Sequence, residues 1–169
     1  MLFRSTALLG LASALALGCA LSACASKPAA DTAADYLSGP ALESQLKSQR
    51  WSLQSATDGQ GQRITALFPR PNQSLVLLFV DGRLAVQGGC NTQGGSYQIS
   101  STNALQVGPL MSTRKGCEPA LMQADTAVNS LLAHSWQIQF ESVKSGAPAL
   151  LRLVSAAGET LVWVGEPLP

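Results

Sequence analysis

Apolar residues recur at every second position through most of the chain and at helical spacing in two places. Trp51 and Leu53 alternate with Ser52 and Gln54, which predicts a strand from Arg50 that ends in the turn-forming run Thr57-Asp58-Gly59-Gln60-Gly61. Arg63 to Phe68 reads as a second strand, stopped by Pro69 and Pro71, which have no N–H for a ladder. Ser74 to Val80 is apolar on both faces, which predicts a central strand covered on both sides. Asp81-Gly82 then links it to Arg83–Gln87. Such a two-residue pair favours the type I′ turn that matches strand twist, so a hairpin is expected here. Gly88-Gly89 predicts a bulge or a close backbone approach, and Gly94-Gly95 a turn into a strand over Ser96–Ile99. Asn103 turns the chain into Ala104–Val107, which Gly108-Pro109 ends. Trp136, Ile138 and Phe140 alternate with Gln137, Gln139 and Glu141 as a half-exposed strand. Gly146-Ala147-Pro148 turns it into Ala149–Val154, and Ala157-Gly158-Glu159 leads on to Thr160–Val164.

The helical spacing appears first over Pro40 to about Gln49, where Leu42 and Leu46 share a face. It returns over Glu118–His134, where Leu121, Ala124, Val128, Leu131 and Leu132 form one stripe and Asp125 falls on the polar side. Pro119 suits the first turn of that helix, Glu118 complements its N-terminal dipole, and His134 lies where a cation is favoured. The expected fold class is α+β: an antiparallel sheet curled into a partly open, barrel-like shape with one main helix.

The N-terminus belongs to a different pattern. Met1–Ala23 carries one charge, Arg4, then an apolar run and small residues, which is the order of a secretory signal and too short for a stable span. Leu21-Ser22-Ala23-Cys24 resembles the bacterial lipobox, so Cys24 is the expected lipidation site. Cys19 is preceded by Ala16 where a lipobox has leucine, and is expected to leave with the signal. Residues 24–39 are small, polar and Pro-containing and predict a flexible tether, which leaves one domain over 40–169. Ala25, in place of aspartate, suggests sorting to the outer membrane, facing the periplasm.

Removing the signal leaves ten basic and ten acidic side chains, since Arg4 is the only charge lost from 11 and 10. That balance provides no basic stripe for nucleic acid, and membrane contact is assigned to lipid on Cys24 rather than to a polybasic face. A monomer is expected.

Candidate chemistry narrows on Cys90 and Cys117. A thiolate nucleophile needs a base, and the single histidine, His134, lies roughly 25 Å along the helix that Cys117 precedes. Two cysteines and one histidine lack zinc-ligand spacing, no glycine loop opens a helix, and Asp58, Asp81, Glu118, Asp125, Glu141 and Glu159 are not grouped. No catalytic residue, metal or cofactor is expected. In an exported chain the two thiols read as a disulfide, with a pair of buried free cysteines as the alternative. Arg114-Lys115 is an adjacent basic pair that reads as a solvated loop or a contact for an anionic partner.

Trp51-Ser52-Leu53, Asp81-Gly82-Arg83, Gly89-Cys90-Asn91, Gly95-Ser96-Tyr97, Leu105, Met111-Ser112-Thr113-Arg114 and Cys117 together resemble the META domain, whose members include the heat-inducible HslJ lipoproteins. The likeness runs from about Arg50 to Val164 and singles out Asn91, Gly95, Thr113 and Arg114 as motif positions. Gln93 stands where many members carry a bulkier residue. The resemblance implies the curled antiparallel fold; the expected acylated anchor, the tether, the stapled domain and the lack of an assembled catalytic set point to a non-enzymatic envelope lipoprotein that supports envelope integrity or stress tolerance by binding another envelope component. Carriage of a small apolar ligand or lipid in the barrel, and a thiol enzyme, are the alternatives.

Overall fold

A computed structural model of the protein describes residues 37–141 and 148–169. The signal over 1–23, Cys19, Cys24, most of the tether and the turn residues Gly146-Ala147 lie outside the described residues. Helix α1 (Gly39–Lys47) carries Pro40 in its first turn and buries Leu42 and Leu46 completely. Strand β1 (Gln49–Thr57) follows, then a 3₁₀ turn at Thr65–Leu67, β2 (Val76–Val80), β3 (Arg83–Gln87), β4 (Gln93–Ile99), β5 (Ala104–Val107) and β6 (Met111–Ser112). Helix α2 (Pro119–Leu132) leads into β7 (Trp136–Glu141), β8 (Leu150–Ser155) and β9 (Thr160–Pro167).

The strands are ordered β3-β2-β1-β9-β8-β7-β5-β4, and β4 pairs back onto β3, so eight strands close into an antiparallel barrel with β6 added to β4. The expected partly open sheet is therefore a closed one. Closure runs over four residue pairs, Arg83↔Ser96 to Val86↔Gln93. Gly94 permits it, because a Cβ there would press to 3.2 Å from the Leu84 carbonyl oxygen. The Gly94-Gly95 pair lies inside β4 rather than in a turn before it.

The interior is filled by inward-facing side chains of every full-length strand, among them Trp51, Phe79, Leu84, Tyr97, Leu105, Trp136, Phe140 and Leu151. Trp51 meets Phe140 edge to face at 6.0 Å, and Phe79 meets Tyr97 likewise at 5.1 Å. Each helix leaves carbonyls free at its C-terminus, and in both a tryptophan five residues on donates its indole N–H. Trp51 Nε1 bonds Leu46 O and Trp136 Nε1 bonds Leu131 O, each at 3.0 Å. These bonds fix both helix-to-strand junctions.

The helices close opposite ends. The phenol of Tyr97 on α1's side is 3.5 Å from Glu43 Oε1, and Tyr97 N–H bonds Gly82 O of the β2–β3 turn. At the other end of β3, Val128, Leu131 and Leu132 of α2 face Leu67, Val86 and Trp163 around a void of about 10 Å³. The Asp81-Gly82 turn has both φ angles positive, at 48° and 73°, as the type I′ hairpin requires.

Two expectations fail for reasons of pairing. Arg63–Phe68 forms a single bridge, Thr57↔Arg63, and then the 3₁₀ turn, not a strand. Strand β2 takes β1 only over Arg50–Ser52, and on the rest of that edge the segment makes the one bridge and the Ile64 N–H to Ala56 O bond before it leaves the sheet. Burying Leu67 beneath α2 decides its conformation instead. Strand β2 is covered on both faces only at its start: on the outer face Val76 is buried, Leu78 half-buried and Val80 53% exposed. Among the described residues no second layer covers the outer wall there.

Candidate functional site

The resembling motif residues converge where β3 ends, β4 begins and α2 starts. Gly88 adopts φ +98°, and a Cβ on it would strike the Ser74 carbonyl oxygen. Gly89 lies against the Asp125 carboxylate, so a Cβ there would occupy the place of Asp125 Oδ1. Both glycines are thus close approaches, and they turn the chain so that Cys90 and Asn91 face the Ser112–Cys117 strap.

Cys90 and Cys117 are joined in a disulfide, with Cα atoms 5.7 Å apart. Neither is a free thiol. The Asn91 side chain completes the join. Its Oδ1 accepts from Thr113 Oγ1 and from the Lys115 N–H, both at 2.8 Å. Its Nδ2 donates to Asp125 Oδ2 at 2.8 Å, and the same carboxylate oxygen accepts the Asn91 N–H at 2.9 Å. One carboxamide therefore holds the strap on one side and α2 on the other.

Gly95 makes room for the connection that leads to the strap. A Cβ on it would lie 2.9 Å from Gly108 O and 3.0 Å from Pro109 O, where the chain crosses from β5 to β6. Strand β6 then pairs Met111 with Gly94 and Ser112 with Gln93, and Thr113 N–H bonds Thr92 O at 3.2 Å. Arg114 and Lys115 are exposed on the strap.

Asp125 and Gln93 were not legible as members of this cluster. The helical stripe places Asp125 on the solvated face, yet it is half-buried and bonded to Asn91. Gln93 is buried at 4% exposure and donates Nε2 to the Asp125 carbonyl at 2.8 Å, so it braces α2 on β4 rather than facing a partner. The sequence signal available was Asp125 beside the buried Ala124, one residue from the apolar stripe. His134 sits apart from the disulfide chemistry, its Nδ1 3.4 Å from Glu159 Oε2. No cluster of three or more histidine, cysteine or acidic residues suited to a metal occurs among the described residues.

Strand β6 separates two open grooves. One, of about 590 Å³, runs over the outer wall, where Leu78, Ala85, Gly94 and Met111 fall in one lateral row. Met111 is 74% exposed at its edge. The other, of about 370 Å³, lies between Leu110 and Ser112 on one side and Met122, Thr126 and Asn129 of α2 on the other. At the α1 end, Lys47 bonds Glu43 at 2.8 Å and holds its carboxyl below the ordinary range, while burial pushes the Tyr97 phenol up.

A family model for the META domain matches residues 44–167. An NMR structure of a protein from Burkholderia xenovorans is similar, with 23% identity, a TM-score of 0.62, 83% of this chain covered and 97% of the other. At that identity the likeness concerns the fold. No curated protein matches the chain significantly.

Proposed function

The chain belongs to the META domain family, and from that premise we propose that it is a non-enzymatic envelope lipoprotein that binds another envelope component. The observation that carries this reading is the arrangement around β6. The motif residues Cys90, Asn91 and Thr113 are occupied in holding the strap, Gly95 admits the β5–β6 connection that leads to it, and β6 lies between two open grooves. Such a motif builds a surface. With both cysteines in a disulfide, neither supplies the thiolate that a cysteine nucleophile needs. The void beneath α2 holds about 10 Å³, at most one water, so carriage of a lipid inside the barrel would require that end to open.

In this reading Cys24 is acylated and the tether joins α1's end of the barrel to the outer membrane, on its periplasmic side. The strap and α2 then occupy the opposite end, available to a partner. The service is to envelope integrity under stress, in the manner of the HslJ-like members. A photoreactive residue at Met111 in living cells tests the binding claim. A discrete adduct with an envelope component, absent when the probe sits at Gln139, is expected. No adduct at Met111, Val80 or Asn129 under heat or envelope stress would overturn it. Metabolic labelling with an alkynyl fatty acid tests the anchor: label is expected on the chain and lost in Cys24→Ser.

A further inference from the structure

Pairing between β5 and β7 ends at Leu105, and β6 is the last strand in its order. From Gln106 to Ser112 the edge has no strand beside it among the described residues; it faces α2 instead. Antiparallel ladders alternate between bonded and non-bonded pairs. Since Thr113 N–H bonds Thr92 O, Ser112↔Gln93 is a non-bonded pair and Met111↔Gly94 a bonded one. The N–H and C=O of Met111 are therefore turned to β4. Those of Ser112, and by the same alternation Leu110, are turned into the groove.

The opposite wall is a second stripe of α2, Met122, Thr126 and Asn129, continued by Ala133 just past its end, spaced four, three and four residues apart. Two adjoining hollows, of about 370 and 260 Å³, share Leu110 and Asn129 and make one channel along it. Eleven helical residues rise about 16 Å, the length of roughly five residues of strand.

We propose that this channel receives an extended segment of a partner protein, which adds a strand to the β6 edge. The inference rests on the binding reading above and names the chemistry of the partner. An extended backbone supplies both a donor and an acceptor to Ser112 and to Leu110. An acyl chain supplies neither, and would leave those groups and the Asn129 carboxamide without water or a partner. A helix has its own backbone groups occupied. Met122, 49% exposed, and Leu110 provide apolar contacts at the two walls, and Thr126 and Asn129 provide polar ones between them.

The test selects binders from a displayed library of random twelve-residue peptides against the full chain with its disulfide intact, and follows bound peptides by NMR. Selected peptides are expected to show interstrand contacts to Leu110 and Ser112 and to slow exchange of those two amides. Ser112→Pro removes one donor from the free edge, where proline is tolerated. Asn129→Trp fills the channel without touching β6. Each is expected to weaken binding at least tenfold with thermal stability and disulfide retained. The proposal is overturned if selection yields no binder, if both variants bind as wild type, or if the two amides are already protected in the free protein by its own N-terminal segment or a second copy. An adduct in cells at Met111 but not at Asn129 would overturn the channel and leave the binding reading standing. Adducts at neither would remove both.

Discussion

Replacing Asn91 by alanine should loosen the strap and α2 together. The side chain accepts two hydrogen bonds from Thr113 and Lys115 and donates one to the Asp125 carboxylate. Bonds to exposed groups are worth about 0.5 kcal/mol each and one to a carboxylate about 2, so the loss is about 3 kcal/mol. For a domain of about 130 residues the unfolding entropy near 60 °C is about 0.27 kcal/mol/K, which converts that loss to a fall in Tm of about 10 °C. Thermal unfolding of the non-reduced protein by circular dichroism reads it directly. A double-mutant cycle with Asp125→Ala isolates the shared bond and should give a coupling of at least 1 kcal/mol, because the two residues touch. A fall of less than 3 °C in Asn91→Ala, or additivity in the cycle within about 0.5 kcal/mol, would refute the bracing role.

Cys90→Ser with Cys117→Ser opens a loop closed across 27 positions and should cost about 3.6 kcal/mol by chain entropy, read by urea unfolding of the pair against wild type. Gly88→Ala, at φ +98° and against the Ser74 carbonyl, should cost more than 2 kcal/mol, whereas Gly116→Ala, with nothing within 4 Å, should be neutral within about 0.5. Equal effects in the two glycine variants would refute the close approach. Burial raises the Tyr97 phenol above 10.0, so the protonated form stabilises the fold at lower pH. That contribution is fully present below the ordinary tyrosine value and is lost as pH rises through the folded one; Tyr97→Phe should flatten the alkaline limb of stability against pH. Glu43 shifts the other way, bonded by Lys47, so its contribution should fade as pH falls through a folded value below the carboxylate range, and Glu43→Gln should remove that dependence.

Local pattern determines a good part of this protein. The Asp81-Gly82 hairpin, the five buried residues of the α2 stripe and the alternation of Trp136, Ile138 and Phe140 all depend on neighbours within a few positions, and each stands as read. The disulfide between Cys90 and Cys117 is the one expected of an exported chain. Tertiary structure decided what depends on residues far apart. Whether the barrel closes turns on β4 finding β3, and on glycine letting the strands approach. The fate of Arg63–Phe68 turned on Leu67 finding its place beneath α2, and Asp125 left the solvated face because Asn91, 34 positions away, bonds it. The edge of β6, which no strand pairs among the described residues, is of the same kind. It exists because β7 parts from β5 after Leu105, and α2 rather than a strand comes to lie beside residues 106–112.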